Sequence, residues 1–192
     1  RERPAGMVRQ GATRVQREPQ AAALAALVPP FIATVGLFVN PTADELMQAK
    51  NAARLSLLQF HGDETPADCD AAGRPYLRAA RMAPGFDLLD FAARFSNAQA
   101  LLLDAAVDGY GGGGKVFDWS LLPPDLPQGV ASHLVLSGGL NPANVIDGVL
   151  AVRPYAVDVS SGVESAKGIK DAALMRRFCK AVREADARIA SL

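Results

Sequence analysis

Net charge, membrane-length apolar runs and closely spaced cysteines are all missing from this 192-residue chain. Twenty Lys and Arg residues balance twenty Asp and Glu residues, so the formal net charge is zero. No global field therefore recruits nucleic acid or an anionic membrane surface, and neither is expected as a partner. No apolar run approaches the roughly 20 residues that a membrane helix needs. The charged N-terminus is not followed by the apolar stretch of a signal peptide. The only two cysteines, Cys69 and Cys179, lie far apart and in no metal-ligand spacing. Both fall in helix-like contexts and read as buried free thiols, as expected in a reducing cytoplasm. A GxGxxG turn after the first strand, the phosphate loop of a dinucleotide fold, is also absent.

What is present is an ordinary globular balance, 49% apolar and 21% charged, in a length that suits one domain over residues 1–192. Six short apolar runs read as strands: Val35–Val39, Leu57–Phe60, Tyr76–Met82, Ala100–Asp104, His133–Ser137 and Ala156–Val159. They are near-continuously apolar rather than alternating, as parallel strands covered by helices are. Most stand about 20 residues apart, the length of one βα unit. Helix signals lie between them. Thr42 with Glu45 opens Ala43–Leu55 as a capping box. Thr65-Pro66 opens Ala67–Ala72, Asn141-Pro142 opens Ala143–Val152, and Asp171 caps a helix running to about Ile189. Pro19 opens Gln20–Leu27, which Pro29-Pro30 stops. Alternating β and α elements build either an open doubly wound sheet or a closed barrel. The glycines decide between them, because they cluster late: Gly109, Gly111–Gly114, Gly138-Gly139, Gly162 and Gly168. Barrel enzymes build phosphate sites in their last βα loops. The expected fold is therefore an α/β TIM (β/α)8-type barrel.

Four strand ends carry the chemistry. In Ser137-Gly138-Gly139-Leu140-Asn141-Pro142, small residues expose backbone N–H groups just before a helix, which suits either an anion or a plain tight turn. Asp158-Val159-Ser160-Ser161-Gly162 ends a strand in two hydroxyls and a glycine. Together the two loops form a two-sided clamp for the phosphate of a small-molecule substrate. Asp104 closes an all-leucine run and suits general-acid work at the rim, or a loop hydrogen bond. After it, the Gly109–Lys115 segment reads as a flap carrying one cation, or as a plain loop, with Trp119 in the core beyond it. His61, at the end of Leu57–Phe60, either contacts substrate or satisfies its own loop.

These motifs, in this order, resemble the phosphoribosylanthranilate isomerase family. The resemblance runs from about Arg14 to the C-terminus. It rests on Val35-Gly36-Leu37-Phe38-Val39-Asn40, Leu58–Glu64, Gly73-Arg74-Pro75-Tyr76, Leu103-Asp104-Ala105, the glycine flap with Phe117-Asp118-Trp119, Ser137–Pro142, and Asp158–Glu164 with Gly168-Ile169-Lys170-Asp171. It implies an Amadori rearrangement in tryptophan biosynthesis, run in the cytoplasm by a monomer or homodimer with no metal or organic cofactor. It also implies Asp104 as the catalytic acid. Substrate is assigned to Arg14, His61, Gly112, Gly113, Gly138, Gly139, Asp158, Ser160, Ser161 and Gly162, with Arg14 on the anthranilate moiety.

The chain departs from the family at two places. Gly113 stands where the family usually has threonine. The family's opening strand, approximately Lys-Ile-Cys-Gly-Ile-Thr with the cysteine as general base, has no counterpart here. The barrel is thus expected to be N-terminally incomplete, lacking its first strand and first helix. Residues 1–13 read as an irregular remnant, with Gly6-Met7-Val8 left over from a second strand. Two alternatives stand beside the isomerase: another phosphate-binding barrel, and a decayed, non-catalytic one. Loss of a positioned base costs about 10²–10⁴ in rate, so the chain as written is expected to be a weak or inactive isomerase. Turnover within about tenfold of a homologue that carries the cysteine strand contradicts that expectation.

Overall fold

The computed structural model describes residues 7–8, 18–106 and 116–191. The strands are β1 (Met7–Val8), β2 (Val35–Phe38), β3 (Leu57–Phe60), β4 (Tyr76–Met82), β5 (Ala100–Ala105), β6 (Leu134–Leu136) and β7 (Ala156–Val159). They form one parallel sheet in the order β1-β7-β6-β5-β4-β3-β2. Helices α1 (Glu18–Ala26), α2 (Ala43–Ala53), α3 (Pro66–Ala71), α4 (Leu88–Arg94), α5 (Gln128–Ala131), α6 (Val145–Val152) and α7 (Ala172–Ala190) fall between or after the strands. This is the expected βα alternation of an incomplete barrel. One expectation is overturned: Met7–Val8 is not a second strand beside Val35. It pairs with β7, Met7 opposite Asp158 and Val8 opposite Val159, the place next to the last strand where a closed barrel sets its first.

Side chains alternate between the two faces of a strand, and here the faces bury different things. Leu58, Phe60, Tyr76, Ala80, Met82, Leu101, Leu103, Leu134, Leu136, Val157 and Val159 join Cys69, Leu88, Phe91, Val149 and Phe178 from the helices in the main core. Leu77, Ala79, Ala100, Leu102 and Val135 form a second cluster with Leu57 and Ala156, drawn from strands alone. A cluster built by five successive strands with no helix is the interior of a curled sheet.

Local chemistry sets the helix ends. Reciprocal capping boxes start α2 (Thr42 with Glu45) and α3 (Thr65 with Asp68). Asp171 caps α7 by accepting from the Leu174 N–H. Helix α6 begins two residues later than its sequence signal. The Asn141 side chain accepts from the Ala143 N–H and the Asn144 side chain accepts from the Asn141 N–H, which holds a turn before the helix can start. Helices α4 and α5 and a hairpin of β8 (Glu164–Ala166) with β9 (Ile169–Lys170) are findings of the structure. Among the described residues, no helix is long and apolar enough to cross a membrane.

The cysteines differ from the expectation of two buried thiols. Cys69 is fully buried in α3, but Cys179 on α7 is partly exposed. Burial pushes the Cys69 thiol up to about 12, with nearby Arg78 opposing. A native-state thiol titration near pH 8 is therefore expected to label one cysteine quickly and the other only after denaturation. Equal rates for both contradict this placement.

Candidate active site

At the C-terminal ends of the strands, polar side chains continue the strand-only interior face: Gln59 and His61 after Leu57, Arg81 after Ala79, Asp104 after Leu102, Ser137 after Val135, and Asp158 after Ala156. Gln59, His61, Asp104, Ser137 and Asp158 are all buried. The His61 Nε2 lies 2.9 Å from Asp104 Oδ2. The Asp104 Oδ1 accepts from the Ala105 N–H at 2.8 Å. Arg81 is the register partner of Asp104 and pairs with Asp63. The Ser137 hydroxyl donates to Asp158 Oδ2 at 3.0 Å.

The loop carrying His61 is pinned from the opposite face of the sheet. Arg78, in phase with Tyr76 and Ala80, is buried on the helix side of β4. Its guanidinium donates to the Phe60 and Gly62 carbonyls at 3.0 and 2.9 Å and pairs with Glu64 at 3.3 Å. It also lies over the Phe95 ring, 4.8 Å from the centroid. Glu64 in turn accepts from the N–H groups of Asn40 and Gly62 at 2.7 and 2.9 Å. Burial holds Arg78 below the usual guanidinium range, and the Glu64 charge opposes that shift. A cavity of about 390 Å³ lies beside this network, lined in part by Asp63, Arg81, Phe86 and Arg94.

The two glycine loops meet as the sequence suggests. Gly138 and Gly139 both take left-handed backbone, with φ of 79° and 62°, which a side chain there strains. At Gly162 a Cβ would overlap the Leu140 carbonyl oxygen, so the loops touch backbone to backbone. Lys170 on β9 donates to the Ser160 carbonyl and to Glu164, each at 2.8 Å, and fixes the turn from below. The Lys170 hydrogen bond, helped by the Gly168 N–H, lowers the Glu164 carboxyl from its usual range.

The structure thus brings together Asp104 and His61 in one pair, and Gly138, Gly139, Ser160, Ser161 and Gly162 in one pair of abutting loops, with Asp158 beneath them on Ser137. Arg14, Gly112 and Gly113 lie outside the described residues. Sequence reasoning missed Arg81, Arg78, Glu64 and Gln59. Two arginines inside an otherwise apolar strand were the available signal for the first two.

Residues 2–181 match the family model of N-(5'-phosphoribosyl)anthranilate (PRA) isomerase. The chain belongs to the PRA isomerase family. A PRA isomerase of Methylibium petroleiphilum is 72% identical over 171 residues, which cover 89% of this chain and 78% of that protein. The crystal structure of PRA isomerase from Thermotoga maritima is 36% identical with a TM-score of 0.77, over 87% of this chain and 80% of that one. A PRA isomerase solved with reduced 1-(o-carboxyphenylamino)-1-deoxyribulose 5-phosphate is 32% identical with a TM-score of 0.71, over 87% of this chain and 79% of that one.

Within this PRA isomerase fold, Gly162 is the residue that lets the two loops touch. Gly162→Ala is expected to force them apart and weaken titration of a sugar-phosphate product analogue at least about tenfold, with a lowered Tm. Unchanged affinity would show that the loop contact does not shape the site.

Proposed function

We propose that this protein converts N-(5-phosphoribosyl)anthranilate to 1-(2-carboxyphenylamino)-1-deoxyribulose 5-phosphate, the PRA isomerase step of tryptophan biosynthesis. The observation that carries this reading is the family match over residues 2–181. The chemistry begins when an acid protonates the ribose ring oxygen. The C1–O bond then breaks with the electron pair leaving on that oxygen, and an iminium forms between C1 and the anthranilate nitrogen. A base removes the C2 proton to give an enol-amine, which tautomerises to the aminoketose.

In this proposal Asp104 is the acid. Its support is its place at the strand end on the interior face, buried and hydrogen-bonded at both oxygens. The phosphate sits between Gly138-Gly139 and Ser160-Ser161-Gly162, where small residues bring main-chain N–H groups within reach. Asp158 shapes that end through Ser137, Gly112 and Gly113 belong to a covering flap, and Arg14 meets the anthranilate carboxylate. His61, expected from the sequence either to contact substrate or to satisfy its own loop, acts at the substrate end through the acid. The reading includes a cytoplasmic monomer or homodimer that takes a phosphorylated small molecule and neither nucleic acid nor membrane; the balanced charge supports the last point.

Complementation of a tryptophan auxotroph that lacks this isomerase tests the proposal. The wild-type gene is expected to restore growth and Asp104→Asn to abolish it, with kcat down about 10²–10⁴ and KM little changed. Growth restored equally by Asp104→Asn removes the acid assignment. Binding of the product analogue without any turnover or growth favours a non-catalytic barrel.

A further inference from the structure

The Asp104 carboxyl is held on one side by a main-chain N–H and on the other by His61. What the second contact does depends on which ring nitrogen bears the hydrogen. A neutral imidazole donates from one nitrogen and accepts at the other. Behind the ring, the Gln59 amide nitrogen lies 3.3 Å from His61 Nδ1. An amide nitrogen carries hydrogens and offers no acceptor. With the amide in this orientation and the ring neutral, Nδ1 accepts, which puts the ring hydrogen on Nε2, facing Asp104. In the reverse tautomer Nε2 would be an acceptor, and Asp104 would give its proton to His61 instead of to substrate. Gln59 and His61 are each 3% exposed, so bulk solvent does not compete for either contact.

We infer that Gln59 is a positioning residue for the isomerisation. It fixes His61 in the Nε2–H tautomer and so keeps the Asp104 proton free for the ribose ring oxygen. The inference rests on Asp104 being the acid. Gln59 lies two residues before His61 on the same interior face, one step deeper in the barrel, and acts only through the ring.

His133, the only other histidine, is exposed, and its Nδ1 lies 2.9 Å from the Gly129 carbonyl oxygen and 3.0 Å from the Ser132 hydroxyl, so it serves as an assignment control with no tautomer set by the fold. Two-bond ¹H–¹⁵N correlation spectra of the whole chain at about pH 8.5, assigned with His133→Asn, read both rings directly. The expected wild-type result is an Nε2–H pattern for His61. An Nδ1–H pattern for His61 overturns the inference without any variant. In Gln59→Leu, the His61 pattern is expected to become mixed while His133 stays unchanged, and kcat to fall at least about tenfold with KM within twofold. An unchanged His61 tautomer in that variant overturns the role of Gln59. A changed tautomer with unchanged kcat overturns the positioning role but leaves the acid assignment standing. Full turnover by Asp104→Asn overturns the acid assignment itself, which the tautomer spectra do not test.

Discussion

The contact between His61 and Asp104 is the constraint on which the rest of the site depends. His61 follows β3 and Asp104 ends β5, with β4 between them. Neighbouring strands stand about 4.8 Å apart, so the two backbones are separated by about two such spacings. A 2.9 Å contact across that distance needs both side chains on one face, and that face must be concave. The strand-only cluster of Leu57, Leu77, Ala79, Ala100, Leu102, Val135 and Ala156 supplies the concavity. Three of its seven members are alanines, which let facing strands draw close. The polar ring at the rim rests on this small apolar floor.

The opposite face of the same strands does a different task. Arg78 and Arg81 are three residues apart on β4, so alternation sends them to opposite sides of the sheet. Arg78 is buried among Phe91, Phe95 and Glu64, where its hydrogen bonds tie down the loop that presents His61. Arg81, in phase with Ala79 and opposite Asp104 in register, reaches Asp63 at the rim. Removing one partner of a buried ion pair leaves an uncompensated charge, so the Arg78–Glu64 pair specifies this loop geometry rather than adding much stability of its own. The geometry of the site is therefore held partly from the helix side of the sheet.

Much of this was legible in the sequence, for physical reasons. Parallel strands covered on both faces leave apolar runs, and all six expected runs became strands within a residue or two at each end. Gly138-Gly139 and Gly162 announced close backbone approach, which the left-handed turns and the Leu140 contact display. Other features had no local signal. Helices α4 and α5 have only seven and four residues, too short to show a period. A two-residue strand such as Met7–Val8 carries no pattern that says which edge it joins. The His61–Asp104 pair joins residues 43 apart in sequence, and only the curvature of the sheet brings them together. Trp119, expected in the core, packs at its margin, partly buried.

In the proposed function one concave face carries both the acid and the phosphate loops. A crystal structure of this chain with reduced 1-(o-carboxyphenylamino)-1-deoxyribulose 5-phosphate tests it most directly. The account predicts phosphate oxygens on main-chain N–H groups of Gly138-Gly139 and Ser160–Gly162, with the Asp104 carboxyl within hydrogen-bond distance of a ribose oxygen. Phosphate seated instead in the arginine-lined cavity of Arg81 and Arg94, with Asp104 away from the sugar, would contradict it.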